Sequence, residues 1–329
     1  MNTKGHLTPK VFVSLVNSYY DTNPDFVKDI ERLGCTVSLR LENEAITQEA
    51  LLEQCRDSDV FVANAKPVTK EMMETSPNLK LIAVFGAGYN QIDIKYAKER
   101  GITVTTARGG SAIAVAELAF SLMLALARKT VLDDSMMRKD KWLSPIGVEL
   151  YQKTLGVIGL GVIGKEVLRI GKNGFSMDVL VFDPFLDPTD ITELGGSQVD
   201  LDYLLAESDF VSVHVPLSEK TKHLISTEQL NKMKSSAFLV DLSRGGIIDE
   251  AALIKALREN KVAGAGLDVH SIEPVSTESP SPYKDLSNVI LTSHAGAGSE
   301  EAVRRIGRII LENIEDTLEG MSPRHNVIV

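Results

Sequence analysis

The chain has 329 residues, 43% of them hydrophobic and 24% charged, and a formal net charge of −10. That length suits about two domains, and the composition is ordinary for a globular protein. The negative charge argues against nucleic acid or an anionic membrane as a general partner, because both repel it, but leaves room for an anionic substrate met by local cations.

The opening segment, Met1 to Lys10, is polar and has no signal-peptide core. A strand is predicted over Val11–Leu15, then a helix from about Pro24 to Leu33, a strand over Thr36–Leu39, a helix over Gln48–Cys55 and a strand over Val60–Ala63. Lys70–Thr75 reads as helical, Leu81–Phe85 as a strand, Ile94–Arg100 as a helix and Ile102–Val104 as a fifth strand. Strands alternating with helices imply βαβ units and a parallel sheet. Cys35 and Cys55 fit no metal or redox spacing and read as buried free thiols of a reducing compartment.

Ala112–Ala127 is the longest low-charge run. It is too short to span a bilayer comfortably, and Glu117 would sit near its centre, so a buried helix between domains or subunits is predicted. With no targeting signal, the expectation is a cytoplasmic protein that binds no membrane. Lys139–Gln152, containing Trp142 and Pro145, reads as irregular.

The most informative segment follows. The apolar strand Leu155–Ile158 runs into Gly159-Leu160-Gly161-Val162-Ile163-Gly164, a G-x-G-x-x-G turn opening a helix. Gly159 permits the tight turn, Gly161 lets a pyrophosphate approach the backbone, and Gly164 lets helix and strand pack closely. The helix start offers unpaired N–H groups and a positive dipole end. Asp183, 19 residues after Gly164, closes the next apolar strand, Val179–Phe182, where a carboxylate can accept from ribose hydroxyls and repel a 2′-phosphate. NAD(H) is the predicted cofactor, and no metal is expected.

Further strands are predicted over Phe210–Val215, Phe238–Asp241, Gly264–Leu267 and Val289–Leu291, the third weakened by its glycines. Hydride transfer to a carbonyl needs a proton donor and a group to hold the substrate's anionic end. Arg244, Glu273 and His294 each follow one of the last three strands. Ligands of open α/β sheets bind at the carboxyl ends of strands, so these three can converge on one crevice. His223 and His270 are predicted to be exposed, and His6 and His325 lie in terminal segments. His214 ends a strand, where it either lines the cofactor cleft or makes a structural hydrogen bond. After Ser299 a long amphipathic helix carries Ile306, Ile309, Ile310, Ile314 and Leu318 on one face.

The glycine turn, Arg244-Gly245, Glu273-Pro274 and Ser293-His294-Ala295-Gly296, in that order, resemble the NAD-dependent D-isomer-specific 2-hydroxyacid dehydrogenases over nearly the whole chain. The resemblance implies an α/β fold with a Rossmann-type dinucleotide-binding domain (108–298) and a smaller flavodoxin-like substrate domain (1–107 and 299–329), usually in a homodimer. It implies that His294 is the general acid/base, Glu273 its partner, and Arg244 the group that binds the substrate carboxylate and keto oxygen. A loop of the first domain, here Gly86, Ala87 and Gly88, is implied to grip the carboxylate through backbone N–H groups, and glycines at a strand end suit such a nest. The implied cofactor contacts are Val162, Ile163, Asp183, His214, Pro216, Thr221, Leu242, Ser243, Asp268 and Gly296. Asp268 reads equally as a turn residue.

Thr105-Thr106-Ala107-Arg108-Gly109-Gly110 departs from the family's Asn-x-Pro-Gly run. Arg108 and Lys66 read as surface cations, with a place in the substrate cleft as the alternative. The expected substrate is a small 2-oxo or 2-hydroxy acid such as glyoxylate, hydroxypyruvate or a phosphoglycerate. Formate enzymes of the family carry Gln at the position of Glu273, which disfavours that activity. A different class of function, an NAD(H)-sensing corepressor-like protein, would keep the same three residues.

Overall fold

The computed structural model describes residues 8–42 and 46–329. His6 and most of the polar opening segment lie outside the described residues. The chain divides into two compact units, Met1–Ser111 with Ala297–Val329, and Ala112–Gly296.

The first unit is a parallel sheet of β1 (Lys10–Leu15), β2 (Thr36–Leu41), β3 (Val60–Ala63), β4 (Leu81–Val84) and β5 (Thr103–Thr106), in the order β2-β1-β3-β4-β5. This is the flavodoxin-like winding. β3 and β4 are buried at every residue, as expected of parallel strands covered on both faces. Alternate side chains divide between two cores. Val11, Val13 and Leu15 meet Phe26 and Ile30 of helix Asp25–Arg32 and Val303, Ile306, Ile310 and Ile314 of helix Glu300–Leu318. Phe12, Phe61, Ile82 and Val84 pack with Met72, Met73 and Ala97 on the other face. The Ser299 side chain caps the long helix by accepting from the Ala302 amide. Cys35 and Cys55 are buried and free, and burial pushes both thiols up, which keeps them protonated and inert.

The second unit is a seven-stranded parallel sheet. Its strands are β6 (Thr154–Ile158), β7 (Asp178–Phe182), β8 (Ser197–Gln198), β9 (Phe210–Val213), β10 (Phe238–Asp241), β11 (Gly264–Leu267) and β12 (Val289–Leu291). Their order is β12-β11-β10-β9-β6-β7-β8. The winding reverses between β6 and β9, which makes that junction the switch point of a Rossmann sheet. The two-residue β8 is absent from the sequence reading because it is too short to show a pattern.

Helix Ala112–Ala127 is buried by this unit's own sheet, with Ala116, Ala119, Phe120 and Met123 in its core and Glu117 exposed. The glycines that weaken β11 on propensity are required by this packing. A Cβ on Gly266 would lie 3.0 Å from Leu122 Cβ and 3.1 Å from Val240 Cγ1. Among the described residues no helix is long and apolar enough to cross a membrane.

Candidate active site

The turn after β6 shows why its three glycines stand where they do. Gly159 has φ +90°, and a Cβ there would come within 2.9 Å of His214 O. A Cβ on Gly164 would lie 2.2 Å from Gly159 O, so a side chain would force the helix off the strand. At Gly161 a Cβ would meet nothing within 4 Å. Helix Val162–Phe175 begins beside that open space with no side-chain cap, so its first amides are available to an anion. The Asp183 carboxylate, at the end of β7, accepts from Leu160 N at 2.9 Å and Phe185 N at 3.0 Å. That fixes the acid against the glycine turn while leaving lone pairs for ribose hydroxyls. Open glycine backbone, an uncapped helix start and a fixed acid together fit a dinucleotide.

The loop after β10 carries Arg244. Its guanidinium is largely buried and makes no ion pair among the described residues. It donates one N–H to Ser243 O at 2.6 Å, so the rest of its planar fork is free for an anion. Burial lowers its pKa, while Glu273 and Asp241 act the other way. Beneath it lies Asp241, which from sequence was only a strand residue. Asp241 is 3% exposed, accepts from the Ser243 amide at 2.9 Å and from the Ser243 hydroxyl, and is pushed up to about 6, chiefly by burial. Between 3.8 and about 6 the folded chain therefore holds a proton that the unfolded chain has released, and stability falls as pH rises through that window. Asp241→Asn keeps the acceptor for Ser243 and removes the buried charge. It is expected to raise the melting temperature more at pH 8 than at pH 4, by the equivalent of roughly 1–3 kcal/mol; equal shifts at both pH values would contradict this.

The loops after β11 and β12 bring Glu273 and His294 together. Glu273 Oε2 is 2.8 Å from His294 Nδ1, so Nδ1 carries the proton and Nε2 remains for exchange. The His294 side chain is 45% exposed and that of Glu273 35%. Exposed ion pairs contribute only about 0–1 kcal/mol, so stability does not account for this geometry. Burial pushes the Glu273 carboxyl up, but hydrogen bonds from His294 and the His270 amide outweigh it, and the carboxyl stays below its ordinary value and ionised.

His294 sits at φ +55°, a left-handed conformation that costs a non-glycine residue about 1–2 kcal/mol. Asp268 holds it there. Its carbonyl accepts from His294 N at 2.9 Å, and its carboxylate accepts from Thr292 Oγ1 at 2.6 Å, Ala295 N at 2.7 Å and Gly296 N at 2.9 Å. This dense local bonding, at a side chain only 1% exposed, is the strongest feature the sequence left undecided.

The other sequence-predicted positions are distributed as follows. His214 Nε2 is 2.7 Å from Ser212 Oγ, its Nδ1 is buried without a partner, and burial pushes the ring down to about 3, so it is neutral. Thr221 Oγ1 donates to Pro216 O at 2.6 Å, which folds the loop after β9. Leu242 and Gly296 are buried, and the Ser243 hydroxyl is spent on Asp241. His223 is exposed, but His270 is not: it is partly buried, with Nε2 2.8 Å from Thr292 O. Its ring is drawn inward by a backbone acceptor that no sequence pattern announces.

In the first unit, Gly86 has φ +153°, and Asn64 Nδ2 donates to Phe85 O at 2.9 Å, so the turn after β4 is held at its base. The Ala87 and Gly88 amides make no backbone hydrogen bond among the described residues, which leaves them available as donors. Lys66 and Arg108 are both exposed.

Residues 120–296 match the family model described as D-isomer specific 2-hydroxyacid dehydrogenase, NAD binding domain. The chain is 40% identical over 275 residues to a glyoxylate reductase of Korarchaeum cryptofilum, covering 82% of each. It is 41% identical over 280 residues to a D-3-phosphoglycerate dehydrogenase of Methanocaldococcus jannaschii, covering 84% of this chain but only 52% of that longer protein. Among solved structures, D-lactate dehydrogenase of Aquifex aeolicus, complexed with NAD and lactic acid, superposes with a TM-score of 0.80 at 28% identity, over 94% of this chain and 96% of that one. The chain belongs to the D-isomer specific 2-hydroxyacid dehydrogenase family.

Proposed function

We propose that this chain is an oxidoreductase that interconverts a small 2-oxo acid and its D-2-hydroxy acid with NAD(H). The observation that carries the reading is the Glu273–His294 pair at 2.8 Å, formed on adjacent strand ends beside the loop that bears the unpaired Arg244. Bound NAD(H) supplies or accepts the hydride. In reduction, His294 Nε2 gives its proton to the carbonyl oxygen of the substrate, and in oxidation the neutral Nε2 takes it back. Glu273, ionised and fixed on Nδ1, sets the tautomer and orients the ring. Arg244 binds the substrate carboxylate and keto oxygen, and the Gly86, Ala87 and Gly88 backbone is assigned to the carboxylate.

Gly159, Gly161, Val162, Ile163 and Gly164 are assigned to the cofactor diphosphate and Asp183 to its ribose. His214, Pro216, Thr221, Leu242, Ser243 and Gly296 are assigned to the remaining cofactor surface, and Asp268 acts through the His294 loop that it shapes. The second unit is thus the dinucleotide domain and the first the substrate domain. The reading includes a homodimer, supported by the exposed apolar run of Trp142, Leu143, Ile146 and Val148 in a segment without helix or strand. It also includes a cytoplasmic location, supported by the two unpaired buried thiols.

Glyoxylate, hydroxypyruvate, 3-phosphohydroxypyruvate and pyruvate, each supplied with NADH, form the deciding panel. At least one is expected to consume NADH in catalytic amounts. Tight NADH binding with no turnover of any 2-oxo acid would instead point to a dinucleotide-sensing protein.

A further inference from the structure

We propose that His270 is a positioning residue that locks together the three loops bearing Arg244, Glu273 and His294. The proposal rests on the catalytic reading above and extends it to a residue outside the reacting set. Those loops follow β10, β11 and β12, and His270 touches each of them.

Toward the Arg244 loop the contact is backbone on backbone. A Cβ on Gly245 would lie 2.0 Å from His270 O and 2.4 Å from its carbonyl carbon, so the two strands of chain are pressed together at the residue next to the guanidinium. Within its own loop, the His270 amide donates to Glu273 Oε1 at 2.9 Å, on the oxygen opposite the one that faces His294. Toward the last loop, His270 Nε2 donates to Thr292 O at 2.8 Å, two residues before His294. A carbonyl oxygen only accepts, so Nε2 carries a proton, while the ring Nδ1 is buried without a partner.

The charged and titratable groups around this junction are Asp241 and Arg244 from the β10 side, Asp268 and Glu273 from the β11 side, and His294 from the β12 side. His270 is the residue whose side chain and main chain reach all three loops. The backbone donation to Glu273 persists in any variant, but the tie to Thr292 depends on a ring N–H. Removing it frees the His294 loop to shift relative to Glu273 and Arg244. Displacements of about 1 Å in a reacting constellation cost on the order of 100-fold in rate.

The test compares three variants. His270→Phe keeps the ring and deletes the donor, while His270→Gln places an amide N–H near the position of Nε2. His270→Asn, too short to reach Thr292, replaces the Phe variant should that one fail to fold. The Phe variant is expected to lose about 10- to 100-fold in kcat on the best 2-oxo acid with its NADH dissociation constant unchanged, and the Gln variant to recover most of the loss.

A second readout does not need activity. Backbone hydrogen exchange over 292–296 in the cofactor-free protein is expected to be about 10-fold faster in the Phe variant and near wild type in the Gln variant. Wild-type kcat and wild-type exchange in His270→Phe would overturn the proposal, as would a Gln variant as impaired as Phe in both. If the wild-type chain reduced no 2-oxo acid, the catalytic reading would fall, while the exchange arm would still decide whether His270 ties the loops.

Discussion

His294→Ala is expected to lower kcat by about 10²–10⁴-fold, the usual worth of a positioned acid/base, with NADH binding nearly intact. Its ring is 45% exposed and anchors no hydrophobic core, so the protein should fold normally. The substitution also relieves little of the left-handed backbone at this position, because Asp268 still bonds the following amides. Stopped-flow single turnover with NADH in excess separates the chemical step from product release. Wild-type kcat on every 2-oxo acid tested would remove His294 from the mechanism. Glu273→Ala should give a smaller loss in the same direction, since the ring would remain but its tautomer and orientation would no longer be fixed.

For Asp183→Ala the expected result is NADH affinity weaker by about 10- to 100-fold and a preference shifted toward NADPH. Hydrogen bonds to a charged group contribute about 1.5–3 kcal/mol, and removing the carboxylate also removes the repulsion of a 2′-phosphate. The geometry adds a structural consequence. Asp183 holds the Leu160 amide of the glycine turn at 2.9 Å, so the turn itself should loosen. Asp183→Asn is the control: it can still accept from Leu160 while lacking the charge. Titration of both cofactors by protein fluorescence tests this, and unchanged discrimination between NADH and NADPH in Asp183→Ala would exclude the ribose assignment.

Much of this was legible in the sequence because the signals are local. Parallel strands buried on both faces read as continuous apolar runs, and the predicted strands lie on or within a few residues of the observed ones. The glycine turn could be read because each glycine answers a short-range demand: a positive φ at Gly159, open space at Gly161 and a 2.2 Å clash at Gly164. The short β8 and the helices Asn17–Thr22 and Thr130–Met137 could not be read, since neither helix buries a residue and so neither carries a core-facing stripe.

By itself the sequence determined the alternation of strands and helices, the dinucleotide turn with its acid, and the types of the three chemical groups, all properties of neighbouring residues. Only the tertiary structure decided which strand ends lie side by side, and hence that Glu273 meets His294. It likewise decided that Asp268 is consumed in shaping the His294 loop, that His270 turns inward, and that Asp241 is buried beneath Arg244 without forming an ion pair among the described residues. Each of these depends on contacts between segments brought together by sheet order, and a parallel sheet sets that order through crossovers that leave no local trace in the chain.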